Sequence, residues 1–236
     1  MSITVRPSSA RGHAHHGWLD TWHTFSFAHY FDPRHMGFRS LRVINEDVVA
    51  PKTGFPQHGH RDMEILTYII EGRLEHRDSS GGHSVIGPGE VQRMTAGSGI
   101  RHSEMNPSSD QAVKLLQIWL LPEREGLEPG YEQTLFPESA KRNRLCLIAA
   151  PAGAGDAEGA LTLRQNARVY ASRLTAGHSL DYAPAHGRGL WLQMVSGGLE
   201  VNGVALMAGD GAAVEGESAV SLAASGEAEF LLFDLG

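Results

Sequence analysis

The segment that decides the fold runs from residue 54 to residue 106. It opens with residues 54–64, Gly-Phe-Pro-Gln-His-Gly-His-Arg-Asp-Met-Glu, and closes with residues 100–106, Ile-Arg-His-Ser-Glu-Met-Asn. His58 and His60 are two residues apart, and so are His102 and Glu104. Side chains at positions i and i+2 point to the same face of a β-strand. Two such strands lying side by side would direct three imidazoles and one carboxylate into the same interior.

This donor set predicts a transition-metal site. Imidazole nitrogens with a carboxylate oxygen suit Fe(II), Mn(II), Ni(II), Cu(II) or Zn(II), whereas Ca²⁺ and Mg²⁺ prefer all-oxygen shells. We expect one divalent ion, with Fe(II) as the first expectation and Mn, Ni, Cu or Zn as alternatives. Glu64 is a second carboxylate near the first histidine pair. It could be a further ligand, or a carboxylate that orients an imidazole or pairs with a nearby arginine.

The surrounding sequence predicts an all-β fold. Short strand-like segments at 65–70, 74–78 and 115–121, of which the first and last are apolar, alternate with turns rich in glycine, and the chain has 28 glycines. Short strands with Gly, Pro, Asn and Asp between them indicate a sandwich or a barrel. His76 and His83 flank the hairpin tip predicted at 79–82, so we expect both side chains to be exposed.

The first 45 residues are rich in histidine and aromatic residues. Residues 3–6 and 41–44 are predicted strands, and Phe25 and Phe27, alternating with Ser26, predict a half-buried strand. The histidines between residues 13 and 16 lie among small residues, which favours an exposed loop over a weak metal cluster. They are His13, His15 and His16.

The second half of the chain repeats the style of the first. Residues 122–144 contain three prolines and many charges, so we expect a connector with little regular structure and a division into domains 1–134 and 135–236. When Gly197 is aligned with Gly72, residues 208–210 match residues 88–90. Residues 196–199 are then a predicted turn. The positions of the two first-motif histidines hold Ala183 and Ala185, or Asp181 and Ala183 if a gap is allowed, so the second half is expected to be a copy without metal ligands.

Composition narrows the classes of function. The net charge is −7 and no basic stretch occurs, which argues against direct binding to nucleic acid. No apolar run approaches the roughly 20 residues that span a bilayer, and the N-terminus lacks the apolar core of a signal peptide, so a cytoplasmic location is expected. The single cysteine, Cys146, excludes an internal disulfide. It lies in an apolar run, where a buried, inert thiol is expected.

The two motifs resemble those of the cupin superfamily, and the chain resembles the pirin family within it. The matching stretches are residues 17–27, 41–45, 60–68 and 96–107. Thr95 is a departure, because the second cupin motif usually has proline there. The resemblance is strong over residues 11–134. It implies two facing cupin β-barrels, with one metal ion held in the first barrel by His58, His60, His102 and Glu104.

The resemblance also implies an activity, that of a quercetin 2,3-dioxygenase. A flavonol would approach the metal through its 3-hydroxyl and 4-carbonyl oxygens, Glu104 would accept the hydroxyl proton, and reaction with O2 would open the ring with release of CO. Met105, Phe38 and Trp119 are the expected apolar walls of the pocket. The alternative is a non-enzymatic, metal-binding regulatory protein that acts through protein–protein contacts. A third interpretation is another cupin reaction on a different small molecule.

Overall fold

The computed structural model describes residues 2–154 and 157–236, and over these residues it is built almost entirely from β-strands. The strands are β1 Ser2–Arg6, β2 Gly12–His15, β3 Leu19–His23, β4 Leu41–Val49, β5 Gly54–His60, β6 Glu64–Glu71, β7 Leu74–Asp78, β8 His83–Ile86, β9 Glu90–Thr95, β10 Ile100–Met105, β11 Val113–Leu120, β12 Gly130–Leu135, β13 Cys146–Pro151, β14 Leu161–Leu163, β15 Ala167–Leu174, β16 Ser179–Tyr182, β17 Gly189–Val201, β18 Val204–Met207, β19 Gly211–Glu215, β20 Val220–Ala223 and β21 Ala228–Leu235. A 3₁₀ turn at Ser8–Ala10 and one α-helical turn, α1 Glu138–Lys141, complete the described elements.

Two β-sheets form the first barrel. A seven-stranded sheet has the order β12-β9-β6-β11-β4-β3-β2, and a four-stranded sheet has the order β5-β10-β7-β8. Every pairing in them is antiparallel, so one face of each sheet can line an interior while the other packs elsewhere. The predicted all-β structure of this part of the chain is confirmed.

The second barrel is built around the order β1-β19-β17-β21-β15-β13-β14, with β16, β18 and β20 attached. Its first strand comes from the N-terminus, because β1 pairs with β19 from Ser2↔Glu215 to Arg6↔Gly211. The N-terminal strand therefore belongs to the second barrel, and the strands of the first barrel follow it in the sequence. The predicted division between residues 134 and 135 falls at the end of β12, which pairs with β9 of the first barrel.

The two barrels share an apolar core. It joins residues on the outer face of the seven-stranded sheet, such as Ile44, Leu66 and Leu116, to Trp191 and Phe233 of the second barrel. All five are nearly or completely buried. Burying large side chains at about 25 cal/mol per Å² makes this contact a major part of the stability of the chain.

Two glycines show that the predicted repeat is structural. Gly72 and Gly197 both have a positive φ, 75° and 72°, in the left-handed region that favours glycine. A Cβ at Gly72 would lie 2.5 Å from the carbonyl oxygen of Ala112, just before β11, and a Cβ at Gly197 would collide with the carbonyl oxygen of Glu227, just before β21. Each glycine thus permits the same close approach of neighbouring strands.

Several local predictions are wrong. Phe25 and Phe27 lie in the irregular segment that connects β3 to β4, not in a strand. Phe25 packs against Trp191 and Phe27 packs against Trp119, so the two rings lie on opposite sides of the seven-stranded sheet. Residues 12–15 form β2, although their histidines are exposed as predicted.

Two further predictions are wrong because regular secondary structure occurs where little was expected: the connector at 122–144 and the turn at 196–199. The connector contains β12 and α1. Residues 196–199 continue β17, which has a register shift against β21 between Met194 and Ser196 and pairs with β18 from Gly198 onward. None of the helical segments in the described residues is long or apolar enough to cross a membrane.

Candidate metal centre

Three neighbouring strands of the four-stranded sheet present their side chains to the interior of the first barrel. In the register of β5, β10 and β7, His102 lies opposite His58 on one side and opposite Asp78 on the other. Glu104 lies opposite His76. Residues directly opposite each other in antiparallel strands share a face, as do residues at i and i+2. The two predicted pairs do lie on adjacent strands, and they meet on one face.

The three predicted histidines converge. One ring nitrogen from each of His58, His60 and His102 lies within 4.8 Å of the other two. The Nε2 atoms of His58 and His102 are 3.1 Å apart. The Nδ1 atom of His58 lies 2.8 Å from the carbonyl oxygen of Pro56, which can only accept, so in neutral His58 the proton is on Nδ1 and the lone pair of Nε2 faces the site.

This spacing fits a shared cation. Two nitrogens bound to one ion at about 2.1 Å and at a right angle to each other are about 3.0 Å apart. Burial is the main reason that the pKa of His102 is lowered to about 2 and that of His60 to about 4, with neighbouring imidazoles adding to it. His60 and His102 are therefore neutral at pH 7 in the metal-free protein, which is the form that binds metal.

Glu104 is held through both carboxylate oxygens. Gln92 donates to Oε1 and Gln117 to Oε2, each at 2.8 Å, while the hydroxyl of Thr67 lies 3.5 Å from Oε1. Burial is the dominant cause that raises the pKa of Glu104 to about 7, and the negative charge of Asp47 raises it further. Glu104 belongs to a second group of close potential ligands, with His102 and His76, and it borders the same cavity as the three predicted histidines.

A polar ladder across the seven-stranded sheet explains how Glu104 is held. This ladder is a single row of directly paired residues, one from each of six adjacent strands, and all six are polar. In order across the sheet they are His23, Asn45, Gln117, Thr67, Gln92 and Gln133. Its central members reach across the barrel to Glu104, because a buried carboxylate requires donors to offset its lost hydration. Sequence reasoning missed the ladder, since its members come from distant segments.

The cavity beside these residues has a volume of about 600 Å³. Its walls include Trp18, Phe27, Phe55 and Trp119. The ring of Trp119 stands edge-on to His60 with 4.9 Å between ring centroids. An apolar cavity with a few convergent polar groups is typical of a small-molecule site. Of the predicted walls only Trp119 is correct: Phe38 packs on Trp191 between the barrels, and Met105 is not among the lining residues.

A second polar patch lies in the cavity wall formed by β3 and β4. His23 and Asn45 are joined by a 2.8 Å hydrogen bond, and Thr21 lies opposite Asp47. Burial raises the pKa of Asp47 to about 7, and Oδ1 of this carboxyl has no hydrogen-bond partner among the described residues. His16, from the first histidine cluster, also reaches the cavity.

Glu64 is neither a ligand nor a support for the metal histidines. On β6, Thr67 faces the cavity side, so Glu64 lies on the other face of the sheet, toward the second barrel. There its Oε2 accepts a hydrogen bond from the backbone N–H of Arg164 at 3.1 Å. Of the two carboxylates that the sequence offers beside the histidines, Glu104 is therefore the one that faces the cavity.

Two predictions about His76 and Cys146 have different outcomes. His76 is completely buried, contrary to the prediction, while His83 is exposed as expected. The signal in the sequence that would have indicated this is a third i, i+2 pair, His76 and Asp78.

Cys146 is half-buried rather than fully buried. Burial is the main cause that raises the pKa of its thiol.

Fold and site together define a two-barrel cupin protein with a candidate metal centre in its first barrel. The Pirin family model matches residues 4–120, and the model for the quercetinase C-terminal cupin domain matches residues 147–235. The chain is 46% identical to quercetin 2,3-dioxygenase of Escherichia coli K12, over 99% of this chain and 98% of that protein. It is 41% identical to a pirin-like protein of Caulobacter vibrioides, over 98% and 99% of the two chains.

A solved structure is similar as well. The bacterial pirin YhhW of Escherichia coli in complex with nickel(II) superimposes with a TM-score of 0.93 at 45% identity, covering 99% of each chain. The chain belongs to the pirin family.

Proposed function

We propose that this protein is a metal-dependent dioxygenase that opens the ring of quercetin-like flavonols with O2 and releases CO. The observation that carries the proposal is the aromatic cavity of about 600 Å³ with His58, His60, His102 and Glu104 in its wall. The names of the relatives support the reaction class, and the nickel complex of YhhW supports a divalent metal.

In this proposal the three imidazoles and Glu104 hold the ion, and the cavity walls bind the substrate. A bound divalent ion supplies a Lewis acid that lowers the pKa of a substrate hydroxyl. Trp119 and Phe27, whose rings are in edge-to-face contact at 5.3 Å, offer apolar surface to a flat aromatic molecule.

Glu104 is the proposed general base. Its carboxyl is buried and reaches the cavity, and in the metal-free protein burial raises its pKa to about 7. A carboxylate that faces the bound substrate can accept its proton. Gln92 and Gln117 fix both oxygens, so the carboxylate meets the substrate in one orientation. Accepting the 3-hydroxyl proton leaves an electron-rich flavonolate, which is the species that reacts with O2.

The test is oxygen uptake and CO release with quercetin, after metal removal and reloading with Fe(II), Mn(II), Ni(II), Cu(II) or Zn(II). We expect uptake that depends on metal, that is lost in His58→Ala, and that falls by about 10²–10⁴-fold in Glu104→Gln. His83→Ala is the matched control, because His83 is exposed on β8. Stoichiometric metal binding without uptake for any metal would contradict the proposal and favour the regulatory alternative.

A further inference from the structure

A chain of buried contacts leads away from His102 on the side opposite the cavity. The Nδ1 atom of His102 lies 3.4 Å from Nδ1 of His76, and Nε2 of His76 lies 3.1 Å from Oδ2 of Asp78. His102 and His76 are at most 1% exposed, and the side chain of Asp78 is fully buried.

The far end of this chain is anchored by the hairpin tip. Oδ1 of Asp78 accepts hydrogen bonds from the backbone N–H groups of Ser80 and Gly82, at 2.8 and 3.0 Å, and from the Ser80 hydroxyl. A Cβ at residue 82 would collide with Oδ2, so glycine leaves room for the carboxylate. Three donors on one oxygen hold Asp78 as an acceptor-only carboxylate.

From Asp78 the positions of the protons follow in order. An ionised carboxylate can only accept, so Nε2 of His76 carries a proton. Neutral His76 then has a lone pair on Nδ1, and the facing Nδ1 of His102 must donate to it. Neutral His102 is left with its lone pair on Nε2, which is the atom 3.1 Å from Nε2 of His58.

We propose that Asp78 and His76 are positioning residues that fix the tautomer and the ring orientation of His102, so that its Nε2 atom is always ready to bind the metal. His58 obtains the same result from a backbone carbonyl, that of Pro56. Hydrogen bonds to the non-ligating nitrogen generally set which nitrogen of a histidine binds metal. The inference rests on His102 being a ligand, as the proposed function requires.

The opposite arrangement is chemically distinct and can be detected. If His76 were a cation, it would donate to both Asp78 and His102. The proton of His102 would then sit on Nε2 and point at the metal position. The two arrangements differ in which nitrogen of His102 carries hydrogen, and this can be read in the metal-free protein.

The first measurement is long-range ¹H–¹⁵N NMR of the metal-free protein, labelled with ¹⁵N-histidine. We expect His102 to carry its proton on Nδ1 and His76 on Nε2. A proton on Nε2 of His102 in the wild-type protein would overturn the proposal. Because no metal is present, this result is independent of whether the protein binds metal or oxidises flavonols.

Asp78→Asn gives the sharpest variant. The hairpin amides need an acceptor, so the asparagine oxygen should stay with Ser80 and Gly82 and the NH2 group should face His76. This reverses every donor and acceptor in the chain and moves the His102 proton to Nε2. We expect both tautomers to switch in the NMR spectrum and the dissociation constant for Ni(II), measured by chelator competition, to rise by about 10–100-fold.

Two further variants separate positioning from folding. Glu75→Gln removes a carboxylate from the same strand, but Glu75 contacts Arg77 and His83 on the other face, so we expect the wild-type tautomers and Ni(II) affinity. His76→Phe keeps an aromatic ring beside Tyr131, whose ring centroid lies 4.7 Å from that of His76. It removes the acceptor for the Nδ1 proton of His102, so neither tautomer of His102 is favoured. The loss of Ni(II) affinity should therefore be smaller than in Asp78→Asn. Wild-type tautomers and affinity in folded Asp78→Asn, or the reverse ranking of the two variants, would contradict the proposal.

Discussion

The Nε2 atoms of His58 and His102 lie 3.1 Å apart across the β5–β10 pair, although 44 residues separate them in the sequence. Their other ring nitrogens face a backbone carbonyl and a second imidazole. With the proposed tautomer of His102, both atoms carry lone pairs, which repel each other at this distance unless a cation lies between them. The pairing register therefore makes an electrostatically unfavourable arrangement that a metal ion would relieve.

His58→Ala should therefore reduce the metal affinity of the protein. Loss of one proposed ligand should exceed the roughly 10–100-fold loss typical of residues that only support a ligand. The measurement is metal content by mass spectrometry after dialysis, together with Ni(II) titration. In His83→Ala, both values should remain those of the wild type.

Gln117→Leu should impair Glu104 without removing it. Gln117 donates to Oε2 of Glu104 at 2.8 Å, and a buried acceptor that loses its partner costs about 1–3 kcal/mol. We expect kcat/KM for quercetin to fall by roughly 10–100-fold. Gln133→Leu is the matched control, because Gln133 ends the same ladder but is exposed and contacts Tyr131. Equal losses in the two variants would show that the ladder acts only through stability.

Sequence reasoning identified the two histidine-containing motifs because both follow the period of two that β-structure imposes. It also identified the repeat, since Gly72 and Gly197 occupy equivalent backbone positions that side chains cannot share. These features are local, or depend on one residue type. The resemblance to pirins then supplied the two-barrel arrangement.

Other features depend on which distant strands become neighbours. His76 was predicted to be exposed because it lies near a hairpin tip, yet β7 pairs with β10 and turns His76 inward. The placement of β1 in the second barrel has no signal in its own five residues. Proximity in sequence likewise suggested a site role for Glu64, whereas strand alternation places it on the opposite face.

Glu64→Gln should leave the metal site intact. Glu64 contacts Arg164 of the second barrel, and burial raises the pKa of its carboxyl. A neutral amide of the same shape can accept the same hydrogen bond. We expect unchanged metal content and unchanged kcat, with any effect confined to the urea midpoint of unfolding. A loss of bound metal in the folded variant would restore Glu64 as a site residue.

Trp119→Ala should weaken binding of the flavonol more than it slows turnover. The indole forms one wall of the cavity and contacts His60 and Phe27. Loss of one aromatic contact, at about 0.5–1.5 kcal/mol, predicts a roughly 2–10-fold rise in KM for quercetin. Trp22→Ala is the control, since Trp22 stacks on His13 outside the cavity. A fall in kcat with unchanged KM would instead place Trp119 in the chemical step.

Asp47→Asn should remove a pH dependence from the stability of the metal-free protein. Burial raises the pKa of Asp47 to about 7, whereas in the unfolded chain it is about 3.9. The folded state therefore holds the proton more tightly. The stabilisation linked to this proton is complete below pH 4, declines between pH 4 and 7, and is lost above pH 7. The neutral amide does not titrate, so the free energy of unfolding of the variant relative to wild type should rise across that range, by up to about 4 kcal/mol.

Urea unfolding between pH 4.5 and 8 measures this difference in free energy, and Asp181→Asn is the control because Asp181 is exposed. Parallel pH profiles for wild type and Asp47→Asn would show that Asp47 stays ionised, held by a partner in the cavity.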